Sequence, residues 1–469
     1  MVEASTHISP ALRDASRNRI LKDMLRAVKK ESQTQGYMVL VCDEVTLQVV
    51  SSNCKLYDLM QEGVSLVEQL ERVRKDFPQM EAIYFITPTE ASVDRMIKDF
   101  EDKKSPHYGG VHLCFTSSVN KPLMTRIGNS ETLMAKVLSF KEVNIEFALH
   151  DDNVFSLEMP SALSELYSRE GSPTEFDATD RVTSKLLTLC TTLYEYPYIQ
   201  YNASSRLSTR IAKELDGKMF QFVNNVPDYS FNQEDRAILL ILDRSIDPLT
   251  PLLHDFYYEA MTYDLLDIQH HIYKYESQNN LGQVQEKECL LTSEDELWRR
   301  YKYRHLMDVL ESIPEEMNAF IESNRDHIQT NAPSSKQMDI NQLSTMVRNM
   351  PEYQALLNKF TIHINLSEKV MSTYNTHEIE AIAEIEQDLA TGINADGKEI
   401  SATKIISAIA RNLPNMSEEN KLRLILAQLI AIETGQKDRV KLTQSLDANG
   451  QRALQNLIWL GINPQKQDG

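Results

Sequence analysis

Residues 237 to 268 read AILLILDRSIDPLTPLLHDFYYEAMTYDLLDI, and the apolar run inside them, Ile238 to Leu242, limits the fold more than any other stretch. A run apolar on both faces is what a central strand needs when helices cover both sides of a parallel sheet. The run stops at Asp243. Asp247-Pro248 and Thr250-Pro251 then turn the chain, and an aromatic, helix-like segment follows from Phe256 to Leu266. Asp243 is thereby expected at the carboxyl end of a strand, where open α/β sheets place ligands. That position invites an enzymatic reading.

Upstream, strand-like and helix-like segments alternate over about the first 150 residues, as in a doubly wound sheet. The expected strands are Tyr37–Cys42, Val64–Val67, Ala82–Ile86, Val111–Phe115 and Val143–Ala148. Between them the pattern predicts helices at Glu90–Phe100, capped by Thr89, and at Leu133–Ser139. From Phe176 to Asn225 the pattern is mainly helical, with Tyr194, Tyr196, Tyr198 and Tyr201 around Pro197.

Beyond residue 268 two short β-like segments, His271–Glu276 and Val284–Leu291, precede long helical patterns. Glu294–Ser323 reads as one helix interrupted near Pro314. Leu343, Met346, Val347 and Met350 repeat at helical spacing, and a second helical stretch follows Pro351. The polar segment Glu322–Gln337 reads as a loop at a helix tip. Thr376–Ala390 is a further helix ended by Gly392, and amphipathic helices fill the remainder. A chain of 469 residues calls for two or three domains.

Charge and motifs narrow the chemistry. Lys plus Arg number 49 against 68 Asp plus Glu, a net charge of −19. Such a chain is repelled by nucleic acid and anionic lipid, which leaves protein partners. No stretch approaches the ~18 apolar residues of a membrane span, and the N-terminus lacks the apolar core of a signal peptide. Cys42, Cys54, Cys114, Cys190 and Cys289 are scattered and form no C-x-x-C pair, as expected of reduced cytosolic thiols rather than disulfides or zinc ligands. The P-loop, G-x-G-x-x-G, G-x-S-x-G and H-E-x-x-H motifs are missing. His270 and His271 are adjacent and point apart. The sequence calls for no metal and no cofactor.

Asp243 and Asp247 are the best catalytic pair available, as ligands of magnesium in a phosphotransferase or hydrolase. Their D-x-x-x-D spacing is not the D-x-D of aspartate phosphotransferases. The other reading makes Asp243 a turn and ion-pair residue and Asp247 the group that sets the turn before Pro248.

The stretch LLILDRSIDPLTPLLHDFYYEAMTYDLL resembles a characteristic block of the SM (Sec/Munc) family of syntaxin-binding proteins. YMVLVCDEVTLQVVSSNCKLYDLMQEGVSLVEQL from Tyr37 and MEAIYFITPTEASVDRMIKDF from Met80 are similar to that family's first domain, and LCTTLYEYPYIQY from Leu189 to its second. IYKYE, DELW, NMPEYQ and EQDLATGINADGKEI match the third. The pattern is closest to the plasma-membrane exocytosis branch. The resemblance implies a three-domain arch: two doubly wound parallel-sheet α/β domains and a large, mainly helical inserted domain. Residues 1–143 would form domain 1 and 144–250 the first part of domain 2. Residues 251–469 would form domain 3, with a hairpin tip near 322–351. It also implies a further segment completing the sheet of domain 2, so that this sequence would be truncated or leave an unpaired edge.

Function then follows as an expectation. The resemblance implies a non-enzymatic, cytoplasmic regulator of vesicle fusion, recruited peripherally to the plasma membrane by syntaxin without inserting in lipid itself. Lys55, Glu68, Arg72 and Arg74 would line a cleft for closed syntaxin, whose acidic bundle suits basic residues. Gln48 stands where the family commonly has arginine. Met124, Val137, Phe140 and Glu142 would hold syntaxin's N-terminal peptide, as an apolar notch with one carboxylate for an arginine. Val137 and Phe140 are expected on one helical face. Pro351 would be a hinge and Ile364 a contact for the vesicle SNARE or the assembled SNARE bundle, with Pro351→Ala extending the helix.

Overall fold

The computed structural model describes residues 11–460 except 34–35, 103–105, 228, 232, 270, 279–283, 293–294, 324–339, 395–396, 400–401, 413–415 and 433; side chains at 277–278, 340–352, 402 and 459–460 are likewise not described. The chain divides into two compact units, Met1–Asp243 and Arg244–Gly469. The expected boundary between domains 1 and 2 falls inside the first unit.

That unit begins with a helical run, α1 (Leu12–Asn18), a π-type stretch (Arg19–Arg26) and α2 (Ala27–Glu31). There follow β1 (Met38–Cys42), α3 (Glu44–Asn53), α4 (Leu56–Gln61), β2 (Val64–Gln69), β3 (Phe77–Ile86), α5 (Glu90–Lys98), β4 (Tyr108–Phe115), α6 (Lys121–Gly128), α7 (Glu131–Met134) and β5 (Val137–Glu142). The five strands pair in parallel in the order β2-β1-β3-β4-β5. Each crossover carries helices, so both faces are covered. Met38, Leu40 and Cys42 pack against Ile20, Met24, Val28 and Val50 on one side. Val39 and Val41 join Val93, Met96, Leu123 and Ile127 on the other. Thr89 caps α5 as expected, its side chain accepting from Ser92 N at 3.2 Å.

Two expectations fail at the edge of this sheet. Leu133–Ser139 is not a helix: α7 is one turn, and the chain enters β5 at Val137. Val143–Ala148 is not a strand, although Val143, Ile145 and Phe147 fill the core from irregular backbone. The β-branched and aromatic residues lying parallel to β4 outweigh the local helical spacing.

The remainder of the first unit comprises a small hairpin, β6 (Ala148–Asp151) with β7 (Val154–Ser156), then α8 (Ala162–Leu166), α9 (Pro173–Thr192), β8 (Tyr198–Tyr201), α10 (Arg206–Asn225) and β9 (Ile238–Ile241). Glu175 is fully buried between α9 and α10, bonded to Arg206 and, at 2.8 Å, to Arg210. Strand β9, expected to be a buried central strand, pairs in parallel with β8 alone among the described residues. Leu239 packs inward with Ile199, Leu215 and Met219. Its neighbours Ile238 and Leu240 are 62% and 57% exposed, because nothing among the described residues covers that face.

In the second unit α11 (Tyr258–Leu265) leads into the two expected β segments, β10 (Ile272–Gln278) and β11 (Val284–Leu290), which pair as an antiparallel hairpin. Then come α12 (Glu296–Tyr301), α13 (Leu306–Ser323), α14 (Ile340–Thr376), α15 (Ile379–Thr391), which ends at left-handed Gly392 (φ 71°), and shorter helices to Leu460. Pro314 lies inside α13 and does not end it. The break falls at residues 302–305, where the backbone turns back to pair with 256–259: Tyr258 N donates to Arg304 O and Leu306 N to Phe256 O, both at 2.9 Å. Trp298, Tyr301, Tyr258, Leu366 and Val370 centre one core, and Ile409, Leu424 and Ile425 a second.

Candidate partner-binding surfaces

In a sheet ordered 2-1-3-4-5, a ligand crevice is expected where the winding reverses, beyond the ends of β1 and β3. Here Asp43 occupies that point. Its carboxylate is buried and accepts from Thr46 N and Oγ at 2.9 Å, Thr87 N at 2.7 Å, Thr87 Oγ at 2.6 Å and Ser92 Oγ at 2.9 Å. The crevice is thus stitched shut by the chain's own donors.

Asp243 is half-buried at the end of β9, and its carboxylate accepts from the hydroxyls of Tyr167 and Ser205. Ser205 also caps α10, accepting from Ser208 N at 3.1 Å. Asp247 accepts from the backbone N–H groups of Leu249 (3.2 Å) and Thr250 (3.0 Å), and hydrogen bonds from Thr250 hold its carboxyl below the usual range. Asp247 thus serves the turn, whereas the Asp243 carboxylate ties the end of β9 to Tyr167 and to the cap of α10. The guanidinium of Arg244 reaches the carbonyl of Asp247 at 2.8 Å. Among the described residues, no three His, Cys, Asp or Glu side chains are grouped to hold a metal.

Of the four expected cleft residues, Lys55 and Arg72 are exposed, Lys55 immediately before α4 and Arg72 in the turn after β2. Glu68, half-buried near the end of β2, accepts from the Tyr108 hydroxyl at 3.1 Å. Arg74 does not belong with them. Its side chain is 6% exposed and Nη2 donates to both oxygens of Asp99, at 2.9 and 3.0 Å. Tyr84 donates to the same carboxylate at 2.6 Å. Burial opposes the guanidinium's charge, but Tyr84 and Asp99 outweigh it and raise its pKa. Arg74 is therefore an internal ion-pair residue, with no charge to offer a partner.

Sequence reasoning also missed the outer face of α4. Asp58 and Glu62 turn inward to Arg17 (2.5 Å) and Arg26 (2.7 Å), which leaves Leu56, Tyr57 and Met60 exposed at 60%, 67% and 51%. Tyrosine and methionine are enriched at protein interfaces. The signal was an inverted helix, with carboxylates facing in and apolar residues out, which periodicity alone reads as core.

The expected peptide pocket depends on the irregularity of β5. Val137 lies opposite Val111, whereas Ser139 lies opposite His112, so one extra residue is inserted at Leu138. Gly110 makes room for it: a Cβ there would lie 2.7 Å from Leu138 Cδ1. The bulge places Val137, Phe140 and Glu142 on one face, opposite Val111, Leu113 and Phe115, although they are strand rather than helix residues. The Phe140 ring is 39% exposed and lies 5.5 Å from that of Phe115. Glu142 accepts from Val119 N at 2.9 Å, and Val137 packs against the core. Met124 is exposed on α6, whose Leu123 and Ile127 enter the same apolar cluster.

Helix α14 runs through Pro351 without interruption, so Pro351→Ala has no broken helix to extend there; the proline's side chain and residues 324–339, which hold most of the expected tip segment Glu322–Gln337, lie outside the described residues. Ile364 is half-buried against the core of the second unit.

A parallel α/β unit whose switch-point aspartate is fully engaged is followed by a mainly helical unit with aromatic cores. The Sec1 family's sequence profile matches residues 38–468, and the chain belongs to that family. It is 33% identical to the protein transport protein sec1 of Dictyostelium discoideum, over 98% of this chain and 76% of that protein. It is 30% identical to the SNARE-interacting protein KEULE of Arabidopsis thaliana, over 88% of this chain and 63% of that one. The chain thus spans about three quarters of the first relative and less than two thirds of the second. Among solved structures, Unc18 in its complex with syntaxin 1 from Monosiga brevicollis superposes with a TM-score of 0.81 at 26% identity, covering 97% of this chain and 79% of that one. The SM protein Vps45 in complex with the Qa SNARE Tlg2 shares the fold, with a TM-score of 0.75 at 21% identity.

Proposed function

We propose that this chain is a non-enzymatic regulator of SNARE-mediated vesicle fusion that binds a syntaxin-type Qa-SNARE and guides SNARE assembly for exocytosis. The observation that carries this reading is the fold it shares, over nearly its whole length, with an Unc18 solved together with a syntaxin. The engaged carboxylates of Asp43, Asp243 and Asp247 support a non-catalytic role. The Qa-SNARE surface includes Lys55, Glu68 and Arg72, with Leu56, Tyr57 and Met60 as its apolar part. The N-terminal peptide of the same partner sits on Met124, Val137, Phe140 and Glu142. Helices α13 and α14, with Ile364, offer a surface to the vesicle SNARE or the assembled bundle. No helix among the described residues is long and apolar enough to cross a membrane, and recruitment to the plasma membrane would go through the syntaxin. The mechanism is a shift of the partner's conformational population, limited in size by the difference in affinity for its closed and open forms.

The test is titration of the cytosolic part of a plasma-membrane syntaxin, with and without its N-terminal peptide, into the folded chain. Reversing Lys55 and Arg72 to glutamate together should slow association about tenfold at low salt. Tyr57→Ala should act on dissociation instead. Absence of binding by both syntaxin forms would end this reading.

A further inference from the structure

The face of β5 that turns away from Phe140 carries a polar chain unused by anything described so far. His112 on β4 is fully buried. Its Nδ1 lies 2.7 Å from Ser139 Oγ on β5, and its Nε2 lies 3.2 Å from Glu81 Oε2 on β3. Glu81 also accepts from Gln33 N at 3.1 Å and from the Ser32 side chain, both just beyond α2. Ser139 in turn hydrogen-bonds Glu31, the last residue of α2, whose carboxylate pairs with Lys141 at 3.0 Å. Among the described residues, Glu81, Glu31 and Lys141 are the charged groups linked to the imidazole. Cys114, on the same face of β4, stays a neutral thiol because burial pushes its pKa up to about 12.

A proton count allows this chain two states. Serine has one hydrogen. When Ser139 donates it to Glu31, its oxygen must accept from His112 Nδ1, and Glu81, a carboxylate, accepts from Nε2. Both ring nitrogens then carry protons, and an imidazolium and an ammonium balance two carboxylates. If one proton leaves, Nδ1 becomes an acceptor. The Ser139 hydroxyl must then turn from Glu31 to the ring, and α2 loses a bond to β5. The order Ser–His–Glu is that of a hydrolytic triad, but this histidine is sealed from any substrate.

We infer that His112 is a positioning residue for the peptide pocket: its protonation decides whether the bulged segment 137–140, which aims Val137 and Phe140, is tied through Ser139 to α2. This rests on the peptide-pocket reading of Met124, Val137, Phe140 and Glu142. The tied state belongs to the protonated ring, so peptide affinity is higher at acid pH and falls when the ring loses a proton.

The experiment uses the full chain and a synthetic, histidine-free Qa-SNARE N-terminal peptide bearing one arginine and one apolar side chain. Calorimetric titration between about pH 5.5 and 8.5 should show affinity falling about fivefold in the native chain, the worth of one hydrogen bond. Ser139→Ala should flatten that slope, and Ser139→Thr, which keeps the hydroxyl, should restore it. Ring 15N shifts of His112 in the free chain should pass from doubly protonated to one neutral tautomer over the same range. A single neutral tautomer throughout overturns the inference, as does a slope unchanged in Ser139→Ala. Phe140→Ala separates the two layers. If it abolishes binding while Ser139→Ala leaves the slope intact, the pocket stands and the His112 role falls; if the native chain binds no peptide at any pH, both fall.

Discussion

Strands β1 and β9 are both short parallel strands cut from unbroken apolar runs, MVLVC and ILLI, and each run leads to an aspartate, Asp43 or Asp243. Their surroundings are opposite. Strand β1 lies between β2 and β3 with helices on both faces, and all five of its residues are fully buried. Strand β9 has β8 on one side, and alternate residues face outward. Burial is thus decided by what the rest of the chain brings alongside a strand. The aspartates diverge in the same way: Asp43 gathers five donors in the interior, whereas Asp243 holds two hydroxyls at half-depth.

The widest separation should come from truncating the two runs. Leu40→Ala leaves a cavity in a core closed on both faces and should cost about 4 kcal/mol. Leu240→Ala removes a side chain that is 57% exposed and should cost under about 1 kcal/mol. Hydrogen exchange resolved by strand is the appropriate measurement, because two units need not unfold together. Equal losses would mean that the outer face of β9 is covered in solution.

Substituting the aspartates should give the next largest contrast. Asp43→Ala strands the N–H groups of Thr46 and Thr87 and takes an acceptor from the hydroxyls of Thr87 and Ser92, for about 3 kcal/mol. Asp243→Ala frees two hydroxyls that can turn to water, for about 1 kcal/mol. If Asp243→Ala proves as damaging as Asp43→Ala, the end of β9 is a structural centre rather than a joint.

This contrast also explains what the sequence could and could not tell. Strands β1 to β4, α5 with its Thr89 cap, the β segments that became β10 and β11 and the end at Gly392 were legible, since each is fixed by local pattern and by residues with one preferred role. The position of β5 was not, because its register comes from pairing with β4 and from room made at Gly110. The fate of Arg74 was not legible either: its partner Asp99 lies on the far side of β3 in sequence, and an arginine in RVRK reads as solvated charge. The charged row at Lys55, Glu68 and Arg72 came from resemblance. The apolar face beside it, from Leu56 to Met60, needed coordinates.

Acid should draw the smallest distinction. Burial pushes the Glu81 carboxyl up, but hydrogen bonds from Ser32, His112 and Gln33 outweigh it and leave the group below its ordinary value. A depressed carboxylate contributes stability that is present above its unfolded pKa, near 4, and lost as pH falls through the folded one. Amides of β3 and β4 should therefore lose protection as pH drops below about 4, and Glu81→Gln should remove that dependence while lowering protection at neutral pH. Asp247, in the turn after β9, is depressed too, but by hydrogen bonds from Thr250 in an exposed loop. Solvent competes for those bonds, so Asp247→Asn should leave the acid profile of β8 and β9 unchanged. An acid-dependent loss in β8 and β9 that Asp247→Asn abolishes would show that the turn, and not the strand pairing, holds that sheet together.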